Sequence, residues 1–350
     1  MKEDMLYDRI LGSLVAAGLG DALGAPTEGM SIYEIHQIYG GRVETFIDGA
    51  INPYFHNARI GEVTDDTSQL YEMAKAVSDA HGAFTVADAV KGLLSWADNY
   101  PRYYPQMAGP TTRLVVEALK RGEDPVVVGK TGGSPERGAT NGAAMRVAAA
   151  GLSNPGDLDG ALADAITMTR ISHATQIGYA SACAVACGIS AALVDRPDLY
   201  HILRACLYGA KTGDARGRKE GRIVPGTTVA HKIQQAITIA YDSDTMPEAE
   251  QRLNDVVGAD SSAAASAVAV AIGLFAAADA DVTKTLVGAA NVGADTDTIG
   301  CIAGMLAGAV NGYAALPIDW RETFFKANPT FDMQTVAAGL LEVTKAKKDI

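Results

Sequence analysis

The sequence has few aromatic residues, few cysteines and no excess of positive charge. Aromatic residues make up 6% of its 350 residues, whereas alanine and glycine are plentiful. Because small residues let helices approach one another closely, this composition predicts a tightly packed all-α protein rather than a β-sandwich. The hydrophobic fraction of 48% and the charged fraction of 20% are ordinary for a globular protein with a sizeable core.

The net charge is −12, so the sequence lacks the basic surface that a phosphate backbone requires. Nucleic acid is therefore not expected as the main partner. A small phosphate-bearing ligand is still compatible with this charge, because backbone N–H groups and metal ions hold phosphates without basic side chains.

The cysteines include no C-x-x-C pair, and two of them are four residues apart in an alanine-rich stretch. Free buried thiols are the expected state of all of them, namely Cys183, Cys187, Cys206 and Cys301. The first ten residues carry acids where a secretory signal would carry basic residues and then an apolar core. We therefore expect a cytoplasmic location.

Two stretches, residues 263–278 and 299–316, are almost without charge and raise the question of a membrane span. Both consist mainly of alanine and glycine rather than leucine, isoleucine and phenylalanine, so neither inserts well into lipid. The second stretch contains Gly300, Gly304 and Gly308 at G-x-x-x-G spacing. This spacing predicts helices that pack closely inside the protein core.

Periodic apolar residues separated by glycine- and proline-marked loops predict one all-α domain over residues 1–350. The predicted helices cover residues 7–23, 32–39, 64–80, 86–99, 111–121, 157–171, 174–194, 198–210, 227–241, 246–257, 262–278, 281–290, 296–314 and 333–347. Thr85 is the expected cap of the helix at 86–99. Residues 130–140 form a predicted glycine-rich loop, and residues 141–151 are expected to start a buried helix or turn.

Residues 211–225 carry several basic side chains between glycines. They are predicted to form an exposed loop that could face a ligand, with the basic residues Arg216, Arg218, Lys219 and Arg222.

Two short segments combine neighbouring aspartates with threonines directly before apolar helices: Thr64-Asp65-Asp66-Thr67 and Asp295-Thr296-Asp297-Thr298. Acids in the first turn of a helix commonly only complement its dipole, which stabilises by about 0.3–1 kcal/mol per charge. For either segment alone, stabilisation of the helix start explains the aspartates as well as a functional role does. The presence of both, each before a helix whose start is expected to be partly buried, favours a functional pair.

Carboxylates that converge raise one another's pKa unless a cation neutralises them. Mg²⁺ and Mn²⁺ prefer carboxylate and hydroxyl oxygens, and the two segments offer enough such side chains for two octahedral ions that keep several waters. The absence of histidine from both segments disfavours zinc. The candidate ligands are Thr64, Asp65, Asp66, Asp295, Asp297 and Thr298.

Three weaker features have ordinary explanations when each is taken alone. Glu28 follows a Gly-Ala-Pro turn that could carry it into the same site, although an exposed loop acid is the commoner case. The run of small residues from Gly138 to Met145 could approach a phosphate with its backbone, but a plain turn has the same composition. His173 could bind a ribose or diphosphate, or could be a satisfied histidine at a helix start.

Taken in chain order, these motifs resemble the ADP-ribosylglycohydrolase family over almost the whole sequence. The resemblance starts at Leu11-Gly12-Ser13-Leu14 with Gly20-Asp21-Ala22-Leu23-Gly24. It continues through both acidic segments, Asn141-Gly142-Ala143-Ala144-Met145-Arg146 and Ser172-His173 to the ending Leu316-Pro317-x-x-Trp320. The sequence departs from the family pattern at Glu62-Val63, where a Gln-aromatic pair is often found, and at Gln69-Leu70, where Met is frequent. These departures leave the residues of both acidic segments unchanged. They bear instead on which acceptor group, attached to ADP-ribose, the protein would recognise.

The resemblance implies a compact helical fold with two Mg²⁺ or Mn²⁺ ions held by the candidate ligands named above. We hypothesise that Asp65 or Glu28 acts as the general base or acid of such an enzyme. The resemblance implies that Glu28 takes part in catalysis and that His173 contacts the substrate. It further implies that one loop wraps the diphosphate and distal ribose, namely Gly138, Ala139, Thr140, Asn141, Gly142, Ala143 and Ala144.

The leading function that follows is hydrolysis of ADP-ribose from a protein side chain, with arginine as the commonest acceptor, by a monomeric enzyme. A second reading is an N-ribosyl hydrolase of free nucleosides or small ADP-ribose derivatives. A third is a non-enzymatic, crystallin-like member of the same family, which need not keep the metal ligands.

Overall fold

The computed structural model describes residues 1–53, 55, 58–132, 134, 136–258 and 263–348. Within these ranges the regular structure is helical, with two isolated β-bridges and no strand. The helices are α1 (Glu3–Gly24), α2 (Ile32–Tyr39), α3 (Asp65–Asp79), α4 (Val86–Asn99), α5 (Pro110–Lys120), α6 (Pro125–Gly129), α7 (Ala148–Leu152), α8 (Leu158–Arg170), α9 (Gln176–Ala192), α10 (Leu199–Glu220), α11 (Val229–Tyr241), α12 (Met246–Arg252), α13 (Ala264–Ala277), α14 (Val282–Asn291), α15 (Thr296–Asn311), α16 (Ile318–Ala327) and α17 (Met333–Lys348).

The all-α prediction is confirmed, and several predicted helices have the expected ends. Residues 32–39 and 86–99 are helical as predicted, and each helix begins with a capping box. Thr85, the expected cap, accepts a hydrogen bond from the backbone N–H of Asp88. The short helices α6 and α16 were not predicted. Residue 262, the expected start of α13, lies outside the described residues, as do residues 133 and 135 of the predicted loop and residues 54, 56 and 57 between α2 and α3.

α1 and α15 pack against each other at the centre of the fold through their backbones. A Cβ atom at Gly300 would overlap the carbonyl of Gly20, and one at Gly304 would overlap the carbonyl of Ala16. The glycines therefore permit a backbone separation that any larger residue would prevent. This contact places the N-terminal end of α15 beside the C-terminal end of α1, where the acidic side chains meet.

α1 is long and apolar enough to cross a membrane by length and composition, but its apolar window is entirely buried inside the fold. A helix that is apolar on all sides is expected at the centre of a helical protein. α13 and α15, which contain the two nearly uncharged stretches, are also buried in the core. The cysteines are free and buried, as predicted.

The predicted exposed loop at residues 211–225 was wrong for residues 211–220, because α10 continues as a helix to Glu220, whereas residues 221–225 are not helical. The glycines that suggested a loop face the backbone of α9: a Cβ at Gly213 would approach the carbonyl of Tyr179, and one at Gly217 would approach Gln176. Arg216 pairs with Glu220 over one helical turn, with Nε to Oε1 at 2.5 Å. Residues 211–220 thus form the end of a close-packed helix with ion pairs on its exposed face.

Candidate metal and substrate site

The first acidic segment is held at the start of α3 by a buried carboxylate of α1. Asp21 is fully buried and accepts hydrogen bonds from the backbone N–H groups of Thr64 and Thr67 at 3.0 Å each. Thr64 caps α3 by accepting a bond from the N–H of Asp66 at 3.2 Å. The orientation of Asp65 and Asp66 is therefore set by α1. Asp21 belongs to the Gly20–Gly24 motif, but the sequence did not reveal this role.

The second acidic segment is joined to the turn that follows α1. The N–H of Gly29 donates to the carbonyl of Ala294 at 2.7 Å, and the N–H of Ala294 donates to Met30 at 2.8 Å. Gly293 has φ +82° and Ala294 φ 59°, so the chain turns sharply through the left-handed region just before Asp295. These reciprocal bonds bring Glu28 and Asp295 to the same place although they are far apart in sequence.

A pair of buried threonine hydroxyls strengthens the same junction. Thr27 Oγ1 lies 3.0 Å from Thr296 Oγ1 and 2.9 Å from the carbonyl oxygen of Ala290, and Thr296 Oγ1 lies 2.8 Å from the carbonyl oxygen of Gly24. Both threonines are fully buried. The end of α1 and the start of α15 are thus linked by side-chain bonds as well as by close packing.

Carboxylates from both segments and from the turn converge on one pocket. Atoms of Glu28, Asp295 and Asp297 that could bind an ion lie within 4.8 Å of one another. Asp65 and Asp66 line the same pocket as these three residues. We call the set the acidic cluster: Glu28, Asp65, Asp66, Asp295 and Asp297. Thr298 lines the same pocket, and Thr64 lines the adjoining cavity.

Two oxygens of the acidic cluster are buried without a hydrogen-bond partner among the described residues: Oδ2 of Asp66 and Oδ1 of Asp297. Buried polar atoms are normally paired, so unpaired carboxylate oxygens on residues that line a shared pocket are suited to binding a cation. The surrounding ligand atoms are carboxylate and hydroxyl oxygens. This donor set fits a hard divalent cation such as Mg²⁺ or Mn²⁺.

Burial and mutual repulsion raise the pKa of most of these carboxyl groups. Burial and the charge of Asp295 raise the pKa of Glu28 to about 8, and burial and Asp21 raise the pKa of Asp65 to about 7. The pKa values of Asp66 and Asp297 lie well above their ordinary range, chiefly through burial. Without a cation, the charged form of the cluster is therefore unfavourable.

The acidic cluster opens into two adjoining cavities that form a candidate substrate site. The larger cavity has a volume of about 740 Å³ and is bounded by Glu28, Asp65, Asp297 and the loop before α5. The smaller has a volume of about 180 Å³ and lies between the cluster and the start of α5. Residues 107–112 line one or both cavities, a contribution that the sequence did not indicate.

The small-residue loop reaches the smaller cavity through only part of its length. Thr140, Asn141 and Gly142 line the cavity. Nδ2 of Asn141 donates to Oδ2 of Asp295 at 2.5 Å, which ties the loop to the acidic cluster. The remaining predicted contacts do not line either cavity within the described residues: Gly138 and Ala139 precede this stretch, and Ala143 and Ala144 are buried behind it.

His173 is fully buried behind the loop rather than exposed in the cavity. Its Nε2 lies 2.9 Å from Oγ1 of Thr140, and its Nδ1 lies 2.9 Å from Oγ of Ser172. Both ring nitrogens thus have protein partners. A direct substrate contact by His173 stays a prediction, and the geometry places Thr140 between the ring and the cavity.

Glu28, for which an exposed loop position was the commoner expectation, is instead half-buried and faces Asp295 and Asp297. The basic residues of 211–225 do not line either cavity. Arg222 instead donates to the carbonyl of Arg137 and so supports the glycine-rich loop from behind.

The chain is similar over its whole length to known proteins of one kind. A family model described as ADP-ribosylglycohydrolase matches residues 2–349. The uncharacterized protein YegU of Escherichia coli strain K12 is 30% identical over 318 residues, which cover 89% of this chain and 90% of YegU. An uncharacterized protein of Archaeoglobus fulgidus is 28% identical, with 91% of this chain and 92% of that protein covered.

The ADP-ribosyl-[dinitrogen reductase] glycohydrolase of Rhodospirillum rubrum is 26% identical, and the match covers 90% of each chain. A solved structure titled ADP-ribosylglycohydrolase-related protein complex has a TM-score of 0.67 at 22% identity and covers 98% of this chain and 99% of its own. That likeness shows that the two chains have the same fold.

Proposed function

Since the chain belongs to the ADP-ribosylglycohydrolase family, we propose that it hydrolyses the glycosidic bond between ADP-ribose and an acceptor, with a protein arginine side chain as the leading acceptor. Full-length similarity to the Rhodospirillum rubrum glycohydrolase supports this proposal. The observation that carries it is the acidic cluster, whose buried and unpaired oxygens border cavities large enough for a nucleotide-sized ligand.

Two Mg²⁺ or Mn²⁺ ions held by Thr64, Asp65, Asp66, Asp295, Asp297 and Thr298 would neutralise the cluster, orient the ribose hydroxyls and lower the pKa of a water molecule. The chain's own carboxylates stabilise the positive charge that develops at C1 of the ribose as the bond breaks. Glu28 and Asp65 both line the larger cavity, and in this proposal they accept or return a proton.

The loop of Thr140, Asn141 and Gly142 binds the diphosphate side of the ligand in this proposal. Two of these residues are anchored, because Asn141 is bonded to Asp295 and Thr140 lies against His173. In this proposal, these two anchors hold the loop, and with it the diphosphate side of the ligand, at a fixed distance from the carboxylates. A cytoplasmic location remains part of the proposal.

The test is the release of ADP-ribose from arginine-, serine- and DNA-linked substrates, measured with Mg²⁺ and with Mn²⁺, with simple nucleosides in parallel. Release from the arginine linkage is the expected result. Release from nucleosides alone would replace the proposal by N-ribosyl hydrolysis. An absence of metal binding in a calorimetric titration would instead support a structural, crystallin-like role.

Glu28→Gln and Asp65→Asn separate the two candidate acid–base groups in the same assay. Each variant is titrated with metal first, so that loss of turnover is compared only at equal metal occupancy. Unchanged turnover in the metal-loaded Glu28→Gln protein would remove Glu28 from catalysis.

A further inference from the structure

A series of buried polar side chains leads from the acidic cluster back to the substrate cavity. Nε2 of Gln69 donates to Oδ2 of Asp65 at 2.7 Å, and Nη1 of Arg146 donates to Oε1 of Gln69 at 2.5 Å. Nη2 of Arg146 donates to Oγ of Ser172 at 2.6 Å. The side chains are only 1% exposed for Arg146 and 2% for Gln69 and Ser172.

The series continues through His173 to the cavity wall. Oγ of Ser172 lies 2.9 Å from Nδ1 of His173, and Nε2 of the same ring lies 2.9 Å from Oγ1 of Thr140. Thr140 lines the smaller cavity. We call the four side chains between Asp65 and Thr140 the buried relay: Gln69, Arg146, Ser172 and His173.

Arg146 sets the direction of every bond in the relay, because a guanidinium group only donates hydrogen bonds. Gln69 must present its oxygen to Arg146 and therefore its N–H to Asp65. Ser172 must accept from Arg146, and its own proton is then directed to Nδ1 of His173, the only other partner it has among the described residues.

A ring that accepts at Nδ1 carries its proton on Nε2 when it is neutral. Nε2 then donates to Oγ1 of Thr140. The hydroxyl proton of Thr140 is therefore not used in the hydrogen bond to His173 and can be donated to another acceptor. Thr140 is partly exposed and lines the smaller cavity, so a ligand bound there is within reach of this residue.

We propose that Arg146, Gln69 and Ser172 are positioning residues that hold His173 as the Nε2–H tautomer and so make Thr140 a hydrogen-bond donor to an oxygen of the bound ligand. The same relay supplies an N–H to Oδ2 of Asp65 and leaves Oδ1 as the oxygen available for the acidic cluster. The class of ligand, a phosphate- or hydroxyl-bearing ribosyl compound, rests on the proposed function.

Two further observations support a fixed neutral ring. Burial, with the charge of Arg146, lowers the pKa of His173 to about 3. The ring also lies against Gly142, since a Cβ there would approach Cε1 at 3.1 Å and Nε2 at 3.2 Å. The loop therefore packs against the edge of the ring that carries Nε2.

The tautomer is measured directly by long-range ¹H–¹⁵N correlation of the histidine rings in the uniformly labelled protein. The His173 signal is identified by its loss in the His173→Gln variant. The Nε2–H pattern is the expected result, and the Nδ1–H pattern would overturn the proposal. The measurement needs no substrate, so its outcome is independent of whether the protein hydrolyses ADP-ribose.

Variants of Ser172 test whether the relay determines the tautomer. We expect Ser172→Ala to populate the second tautomer and Ser172→Thr, which keeps the hydroxyl, to restore the Nε2–H pattern. Ser153→Ala removes an equally buried hydroxyl outside the relay and should leave the His173 signal unchanged. A tautomer that Ser172→Ala does not affect would show that the relay does not set it.

Variants of Thr140 test the donor to the ligand, with ADP-ribose itself as the probe in calorimetry. Thr140→Val should weaken binding by about three- to tenfold, the usual effect of one lost hydrogen bond, and Thr140→Ser should retain the affinity. Thr285→Val, at a buried threonine that bonds only within its own helix region, is the control. Equal binding by Thr140→Val and wild type would refute the donor role even if the tautomer is as proposed.

Discussion

The two sides of the candidate site are both largely buried but differ in how their polar atoms are paired. In the acidic cluster, carboxylates crowd together, and Asp66 and Asp297 each have a buried oxygen that no other described residue pairs with. In the buried relay, the side chains from Gln69 to His173 are joined end to end by hydrogen bonds. Buried polar groups cost free energy unless they are paired. The acidic cluster is therefore suited to a positively charged ligand that pairs its oxygens, whereas the hydrogen bonds of the buried relay are already complete without a ligand.

The largest expected effect comes from removing one charge of the acidic cluster. Asp297→Asn should reduce turnover by more than about 100-fold, since even residues one step removed from a metal cost 10- to 100-fold. The same change should raise the melting temperature of the metal-free protein, because the raised pKa of Asp297 means that folding requires this buried carboxyl to bind a proton, whereas an amide has no such cost. Turnover in the metal-loaded protein and melting by calorimetry measure the two effects.

Glu250→Gln is the matched control for this comparison. Glu250 is also buried, but it is bonded to Arg42, with Oε1 2.8 Å from Nη2. Its replacement should therefore lower the melting temperature and leave turnover intact. A metal-free Asp297→Asn protein that melts below wild type would show that the cluster is not repulsive in the absence of a cation.

The next effect concerns the helix contact that unites the acidic cluster. Gly300→Ala adds a methyl group against the carbonyl of Gly20 and should lower the free energy of unfolding by about 1–3 kcal/mol, as overpacking does. Because α15 must then shift away from α1, metal affinity should fall as well. Chemical denaturation and metal titration are the measurements.

Gly109→Ala provides the control for stability, since its backbone φ is −60° and no atom lies within 4 Å of the added Cβ. Its free energy of unfolding should stay within about 0.5 kcal/mol of wild type. Wild-type stability and metal affinity in Gly300→Ala would contradict the view that backbone contact between α1 and α15 assembles the site.

The smallest expected effect is the pH dependence of the metal-free protein. The pKa of Asp65 rises to about 7 and that of Glu28 to about 8, both above the values of unfolded chains. The folded state thus binds more protons than the unfolded state, and these groups contribute stability at low pH that is lost as the pH rises through 7 to 8.

Saturating Mg²⁺ or Mn²⁺ should reverse this trend, because a cation binds the deprotonated carboxylates and competes with protons. Melting temperatures measured from pH 5 to pH 9, with and without metal, test the prediction. Parallel curves in the two conditions would contradict coupling between the cation and these carboxylates.

Much of the fold was predictable because local signals and packing agree. The capping boxes before α2 and α4 and the glycine spacing of α15 each have a direct sequence signature. Gly209, Gly213 and Gly217 have the same spacing and pack α10 closely against α9, although a loop was predicted from residue 211 onward. The prediction failed there because glycines beside basic residues were assigned to a loop.

The acidic segments were also predictable, since neighbouring aspartates before apolar helices are conspicuous in one dimension. The supports around them were not. Asp21 is a single acid within an apolar helix, and its bonds to Thr64 and Thr67 depend on the relative position of α1 and α3. The contribution of residues 107–112 to the cavity likewise depends on how α5 is placed.

The sequence by itself determined the helical architecture and the carboxylate and hydroxyl chemistry, because both follow from residue type and near-neighbour spacing. Only the tertiary structure decided which oxygens remain unpaired, that Glu28 joins the cluster, and that His173 lies behind Thr140. These are relations between segments more than 30 residues apart in the chain. They arise from the close packing of whole helices, which no local pattern specifies.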